Sequence, residues 1–201
     1  EALKARLAQR LAAAMRFMAE RPAALVLMHG VSGSGKSWLS ERLVPAIGAL
    51  RIRSDLERKR LSGAGGYAAA AVHLNYQRLA ECAEAALDGG CSVIIDATFL
   101  ERTHRDLFRA LARRRHCGFL IVSCSADAAT LGERVDRRAR SGLEPSGAAR
   151  AVLDHQLRSQ QPVAADEMPE VVTVETSRLV SADAAIVALR TQLTELGCLP
   201  G

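Results

Sequence analysis

Apolar residues in this chain follow two rhythms. Short, mostly apolar runs recur at residues 23–29 (A-A-L-V-L-M-H), 49–53, 91–96 (C-S-V-I-I-D), 119–123 and 171–174. Their length and near-continuous apolarity suit strands covered on both faces, as in a parallel sheet. Between them, residues 38–43, 69–87, 102–115, 127–140, 148–160 and 182–196 carry helical patterns, and Gly89-Gly90 supplies a stop for the second of these. Alternation of this kind predicts an α/β fold: a five-stranded parallel sheet, helices on both faces and right-handed crossovers. Ligands in such folds collect at the carboxyl ends of the strands.

One more helix is expected upstream. Leu3, Leu7, Leu11, Met15 and Met18 recur at intervals of four and three, so residues 2–19 read as an amphipathic helix, separated by Pro22 from the first strand. Such a helix either packs on its own domain or connects to a domain that precedes it. The expected division is therefore residues 1–21 as this helix and 22–201 as one domain, with a lid at about residues 127–160. A length of 201 residues allows one well-buried core and leaves no room for two ordinary domains with a linker.

The stretch after the first strand changes the picture from fold to chemistry. Gly30-Val31-Ser32-Gly33-Ser34-Gly35-Lys36-Ser37 fits the pattern G-x-x-x-x-G-K-[ST] at every fixed position, between a strand and a helix as the motif requires. Its glycines let backbone N–H groups approach phosphate oxygens at a helix N-terminus. Gly30, Ser32, Gly33, Ser34, Gly35, Lys36, Ser37 and Trp38 are the expected nucleotide-binding residues, with Lys36 reaching the β- and γ-phosphates and the Ser37 hydroxyl ligating magnesium.

Three further features fall at strand ends or in the lid. Asp96 closes V-I-I-D, where a carboxylate can hold the hydration shell of the metal. Asp55 follows the second strand; it fits a helix N-cap, and equally a group that orients and deprotonates an acceptor hydroxyl. Arg58, one helical turn on, would hold substrate or the transferring phosphate. Arg134 and Arg138 lie four apart in E-R-V-D-R-R-A-R and share a helix face. That run reads either as a solvated face or as a lid closing arginines over phosphates, with Arg137 and Arg138 both open as the functional arginine.

Composition narrows little further. Hydrophobic content of 49% and charged content of 24% are globular values, and no run approaches a membrane span, so a cytoplasmic protein is expected. The five cysteines are scattered without a C-x-x-C pair, and the histidines make no ligand spacing with them, which argues against disulfides and a structural metal. The net charge of +5 permits phosphate-rich partners. Arg113-Arg114-Arg115 could track a nucleic-acid backbone, but aromatic residues for stacking bases amount to 3%.

Taken together, G-V-S-G-S-G-K-S, R-S-D-x-x-R-K-R, V-I-I-D-A-T and an arginine-rich lid followed by Val152, Leu153 and Gln156 resemble the bacterial P-loop kinases with an AAA-type ATP-binding domain, related to polynucleotide kinase, gluconate kinase and chloramphenicol phosphotransferase. The resemblance covers about residues 24–175. It implies an adenylate-kinase-like fold with a lid, ATP and magnesium as cofactors, and transfer of the γ-phosphate to a hydroxyl of a small molecule or a nucleic-acid end. By it, Asp55 matches the acceptor-activating aspartate, Arg58 the arginine of D-x-x-R, and Arg134 and Arg138 the lid. Members often follow an aminoglycoside-phosphotransferase-like domain, which implies a fused upstream domain here.

Two departures lie on the acceptor side. The lid loop reads Glu144-Pro145-Ser146-Gly147-Ala148 where the family has a sequence close to D-A-S-E-A, and Phe99 stands where polynucleotide kinases tend to have asparagine. A GTPase switch is disfavoured by the lack of N-K-x-D, and a ring-forming ATPase by the lack of room for its additional helical domain. A non-enzymatic ATP-binding module regulating a larger fusion protein remains the alternative.

Overall fold

The computed structural model describes residues 21–62, 69–140, 146–178 and 182–200. The expected helix over 2–19 and the start of the lid loop, Glu144-Pro145, lie outside these residues. β1 (Ala24–His29) leads through the glycine-rich loop into α1 (Lys36–Ile47), and β2 (Leu50–Arg53) runs directly into α2 (Ser54–Ser62). There follow α3 (Ala69–Asp88), β3 (Val93–Asp96), α4 (Arg102–Arg114) and β4 (Gly118–Ser125). The lid helices α5 (Ala128–Arg140) and α6 (Ser146–Ser159) precede a 3-10 turn (Met168–Glu170), β5 (Val171–Glu175) and α7 (Asp183–Glu195).

All five strands are parallel, in the order β2-β3-β1-β4-β5. β1 lies in the middle and is buried along its whole length, which is why its sequence shows no polar alternation. Val26 and Met28 face one core with Leu39, Leu43 and Leu189, while Leu25 and Leu27 face the other with Leu79, Phe108 and Leu111. Each such fully buried side chain contributes roughly 1.5–3 kcal/mol. A third, smaller cluster joins Val31 of the glycine-rich loop to Leu131, Val135 and Leu153 of the lid helices. The lid is thereby docked on the loop it would cover.

Most element bounds differ from the sequence expectation by one to three residues, and three differences have a plain physical cause. α1 continues past Leu43 to Ile47, because Ile47 reaches the core one turn on and the helix stops only at Gly48, in a left-handed conformation with its N–H bonded to the Val44 carbonyl. β3 begins at Val93 and not at Cys91, since Gly90 (φ 74) turns the chain and the Cys91 N–H bonds back to the Ala86 carbonyl. α2 has no counterpart in the apolar pattern at all. Its sequence S-D-L-E-R-K-R-L-S offers no apolar stripe, and among its described side chains the buried one is Glu57, which pairs with Arg60 and, at 3.7 Å, with Arg78 of α3.

The segment leaving the lid is held by a buried ion pair. Arg105 of α4 and Glu167 are 1% and 0% exposed, bonded at 2.8 and 2.9 Å, and the same guanidinium donates to the carbonyls of Phe99, Gln161 and Pro162. With each nitrogen of the guanidinium bonded, and the Ala164 N–H also donating to Glu167, the buried pair is tolerable. The bonds to Arg105 hold the Glu167 carboxyl below its usual range, against the opposing effect of burial. Among the described residues, no helix is long and apolar enough to cross a membrane.

Candidate active site

The glycine-rich loop turns at the carboxyl end of β1, where backbone leaves the sheet with no neighbour to pair it. Gly30 has φ 134, and a Cβ there would stand 2.3 Å from the Cys124 carbonyl oxygen; its N–H donates to Thr98 at 3.0 Å. Gly35 caps α1 with φ 84, and a side chain there would press on Thr176 at 3.2 Å. Both positions require glycine for conformation and for space.

Lys36 is buried. Its Nζ donates to the Val31 carbonyl at 2.7 Å and to Ser34 Oγ at 3.3 Å, folding the side chain back over the loop. Burial pulls its pKa down from 10.5 to about 8, opposed by Cys124 and Asp96 and assisted by the charge of Arg138. Ser37 Oγ donates to Asp96 Oδ1 at 3.3 Å, so the tips of α1 and β3 present a hydroxyl and a carboxylate side by side. Trp38 lines the same cavity, with the Arg42 guanidinium 4.1 Å over its ring.

The lid meets the loop through specific bonds. Arg134 donates to the carbonyls of Gly33 (3.1 Å) and Thr176 (2.7 Å) and to Thr176 Oγ1 (2.9 Å). Thr176 Oγ1 is also within bonding distance of the Ser34 carbonyl, 3.1 Å. Arg134 therefore ties the lid, the loop and the end of β5 together. From α6, Gln156 Oε1 accepts the Ser32 N–H at 2.7 Å, taking one of the backbone donors that a phosphate oxygen would use. Arg137 and Arg138 line the cavity beyond.

Opposite stands a second wall. Asp55, at the start of α2, is held by Arg53 in two contacts, 3.2 and 2.7 Å, with Arg58 lining the cavity one turn on. Behind it, Asn75 donates to Ser54 Oγ at 2.8 Å, and Tyr76 stacks on His104 with centroids 3.7 Å apart. The Tyr76 hydroxyl receives the Phe99 N–H at 3.0 Å and lies 3.3 Å from Thr98 Oγ1. Burial lowers the His104 pKa, with the His73 charge adding to the shift and Glu101 opposing it. One cavity of about 1280 Å³ is lined by both groups of residues, Lys36, Asp96 and Asp55 among them.

The expected nucleotide-binding, metal, acceptor-side and lid arginine residues thus line this cavity or build the loop at its edge, whereas Arg113-Arg114-Arg115 lie away from it, Arg114 and Arg115 pairing with Glu84. Arg51, Arg53, Tyr76, His104 and Thr176 were not foreseen. A charge interrupting an apolar strand, as in A-L-R-I-R, was the available signal for the first two, because a strand-borne charge needs a partner. Nothing local marks the other three.

A parallel sheet in this order, a phosphate-binding loop after its central strand, a carboxylate on the adjacent strand tip and a docked two-helix lid define a P-loop NTPase fold of the kinase type. Residues 25–163 match the family model AAA_33, described as AAA domain, and the chain belongs to that family. Among proteins similar in sequence are uncharacterized proteins of Mycobacterium tuberculosis and Mycobacterium bovis, each 30% identical over 141 residues, covering 64% of this chain and 28% of the relative. The match thus spans little more than a quarter of those curated relatives.

Among solved structures, the APS kinase CysC of Mycobacterium tuberculosis in complex with AMPPNP and APS aligns with a TM-score of 0.68 at 23% identity, over 87% of this chain and 99% of the other. A sugar kinase of Janibacter sp. HTCC2649 gives 0.65 at 22%, over 86% and 95%. A gluconokinase of Sinorhizobium meliloti 1021 gives 0.60 at 24%, over 87% and 97%. At these identities the likeness establishes the fold.

Proposed function

We propose that the chain is an ATP- and magnesium-dependent kinase that transfers the γ-phosphoryl group to a hydroxyl, on a small molecule or a nucleic-acid end. The observation that carries this reading is the single cavity shared by the glycine-rich loop and Asp55. A donor site alone would support nucleotide binding; a carboxylate that shares its cavity supports an acceptor. The kinase names of the structural neighbours agree with it.

In this mechanism, backbone N–H groups of the loop and Lys36 bind the phosphates, and Asp55, oriented by Arg53, accepts the acceptor's hydroxyl proton as its oxygen attacks the γ-phosphorus. The new P–O bond forms as the bond to the bridging oxygen breaks, and ADP leaves. Arg58 and Arg138, which line the cavity, would offset charge on the transferring group. Ser37 and Asp96 fit a hard cation: both offer oxygen, they adjoin, and both line the cavity, from whose solvent magnesium would keep its waters. Bound with the nucleotide, that ion supplies charge neutralisation at the phosphates.

The test is transfer of labelled γ-phosphate to a panel of polyols, aminoglycosides and a 5′-hydroxyl oligonucleotide. Transfer that disappears in Asp55→Ala is the expected result. Saturable ATP binding with no labelled product on any acceptor would instead favour an ATP-binding regulatory unit of a longer polypeptide, the reading favoured by the small share of its relatives that the chain matches. For the oligonucleotide, binding that collapses with salt would mark a nucleic-acid acceptor.

A further inference from the structure

β2 is an edge strand, yet it carries two arginines that project to the same face, being two residues apart. Each takes one of the carboxylates on which the proposed chemistry rests. Arg53 takes Asp55, in a half-exposed pair with side chains 39% and 45% exposed. Arg51 takes Asp96, and this pair is sheltered, at 16% and 5%.

The Arg51 contact is the more telling. Its Nη2 lies 2.6 Å from Asp96 Oδ2 and 3.1 Å from the Ser37 carbonyl, while Ser37 Oγ donates to the other oxygen of the same carboxylate. One guanidinium thus bridges the two residues assigned to magnesium. Its Nε is buried without a partner, so the side chain is fixed by these contacts despite one unmet donor. Around the loop, among the described residues, Lys36, Arg51 and Arg134 stand with Asp96, while Asp55 is taken by Arg53 and Glu101 also lines the cavity. Before any ligand arrives the donor site is net positive. It draws a polyanion and repels a bare divalent cation, which would have to share Asp96 with a guanidinium already in contact.

We propose that Arg51 is a positioning residue that holds Asp96 as a neutralised pair and bars free divalent metal from the nucleotide-free site, so that metal enters only with a nucleotide's phosphates. This rests on the assignment of Ser37 and Asp96 to the metal. The phosphates supply the negative charge that lets the cation compete with the guanidinium. An arginine suits the task because its planar fork reaches the carboxylate and the Ser37 carbonyl together, which a lysine's point charge does less rigidly.

The test is titration of the nucleotide-free chain with manganese, followed by electron paramagnetic resonance of the free ion. The wild type should show no saturable site into the millimolar range. Arg51→Gln and Arg51→Met should each gain one site, at least about tenfold tighter, because a charge facing the cation has been removed. Asp96→Asn in the Arg51→Gln background should abolish the gain, and Arg51→Lys should keep metal out. Calorimetry adds a second readout: in chelator, Arg51→Gln should lose about tenfold in affinity for metal-free ATP, more than it loses for the magnesium complex.

A tight manganese site in the nucleotide-free wild type would overturn the proposal without any variant, as would neutral variants that are folded by circular dichroism and bind no more metal than wild type. If the wild type bound neither ATP nor its magnesium complex, the kinase reading would fall, while the manganese comparison would still decide the role of Arg51.

Discussion

The two walls of the cavity are built on different principles. On the donor wall many contacts reach the main chain, Lys36 to Val31, Arg134 to Gly33 and Thr176, Gln156 to Ser32, beside the side-chain contacts that Ser37 and Arg51 make with Asp96. On the acceptor wall most contacts run from side chain to side chain, Arg53 to Asp55, Asn75 to Ser54, Tyr76 to His104, with the Phe99 N–H to the Tyr76 hydroxyl reaching the main chain. Main-chain contacts survive changes of residue type, whereas side-chain contacts change with them. A fold can therefore keep one donor site while its acceptor wall is rebuilt for another substrate.

The largest effects should separate the walls. Lys36→Ala is expected to weaken nucleotide binding and to lower transfer by about 10²–10⁴-fold, and Asp55→Ala to lower transfer on a similar scale while calorimetry finds nucleotide affinity within about twofold of wild type. Equal loss of nucleotide binding in both would mean that the walls are not independent.

Next comes pH. With Lys36 at about 8 in the free chain, it is charged below that value and increasingly neutral above it, whereas bound phosphates favour the charged form. Nucleotide affinity should hold below pH 8 and fall by up to about tenfold per unit above it, with proton uptake visible as a buffer-dependent binding enthalpy. Acceptor KM should not follow that curve.

Beneath the donor wall, His29 is pulled from 6.5 to about 4, first by burial and then by the charges of Arg105 and Lys36. The unfolded chain takes up this proton near pH 6.5 and the folded chain only near 4. The associated stability is thus complete above 6.5 and lost as pH falls from there to about 4, on the order of 1–3 kcal/mol. Urea unfolding at pH 7 and 4.5 should show His29→Gln losing less than wild type. The smallest effect expected is that of Thr176→Val, which removes the hydroxyl shared by Arg134 and the Ser34 carbonyl. It should cost about 1 kcal/mol of nucleotide affinity and leave the acceptor KM unchanged.

The same contrast explains what could be read from the sequence. β1, β3 and most of β4 were visible because burial on both faces imposes an unbroken apolar run. The glycine-rich loop was visible because its demands are local: conformation at Gly30 and Gly35, and one fixed spacing to Lys36. α2 was not, since a helix held by a buried Glu57 and by contact with α3 shows no apolar period. Thr176 lies 142 residues from the Ser34 carbonyl it meets, and such a pairing leaves no trace in a local pattern.

Phe99 stands between these cases. Its departure from the family could be read, but not its reason: it sits at φ 49, a conformation asparagine adopts more readily, and is pinned by Tyr76 at its N–H and Arg105 at its carbonyl, with its ring edge-on to Phe108.

Trp38 has an optical consequence. It is the only tryptophan in a chain with two tyrosines, it immediately follows Ser37, and its indole carries the Arg42 guanidinium on its face while lining the cavity. Its emission can be excited apart from the tyrosines, so the arrival of phosphates at the glycine-rich loop can be followed by stopped-flow fluorescence, without label or tag, in the unmodified chain.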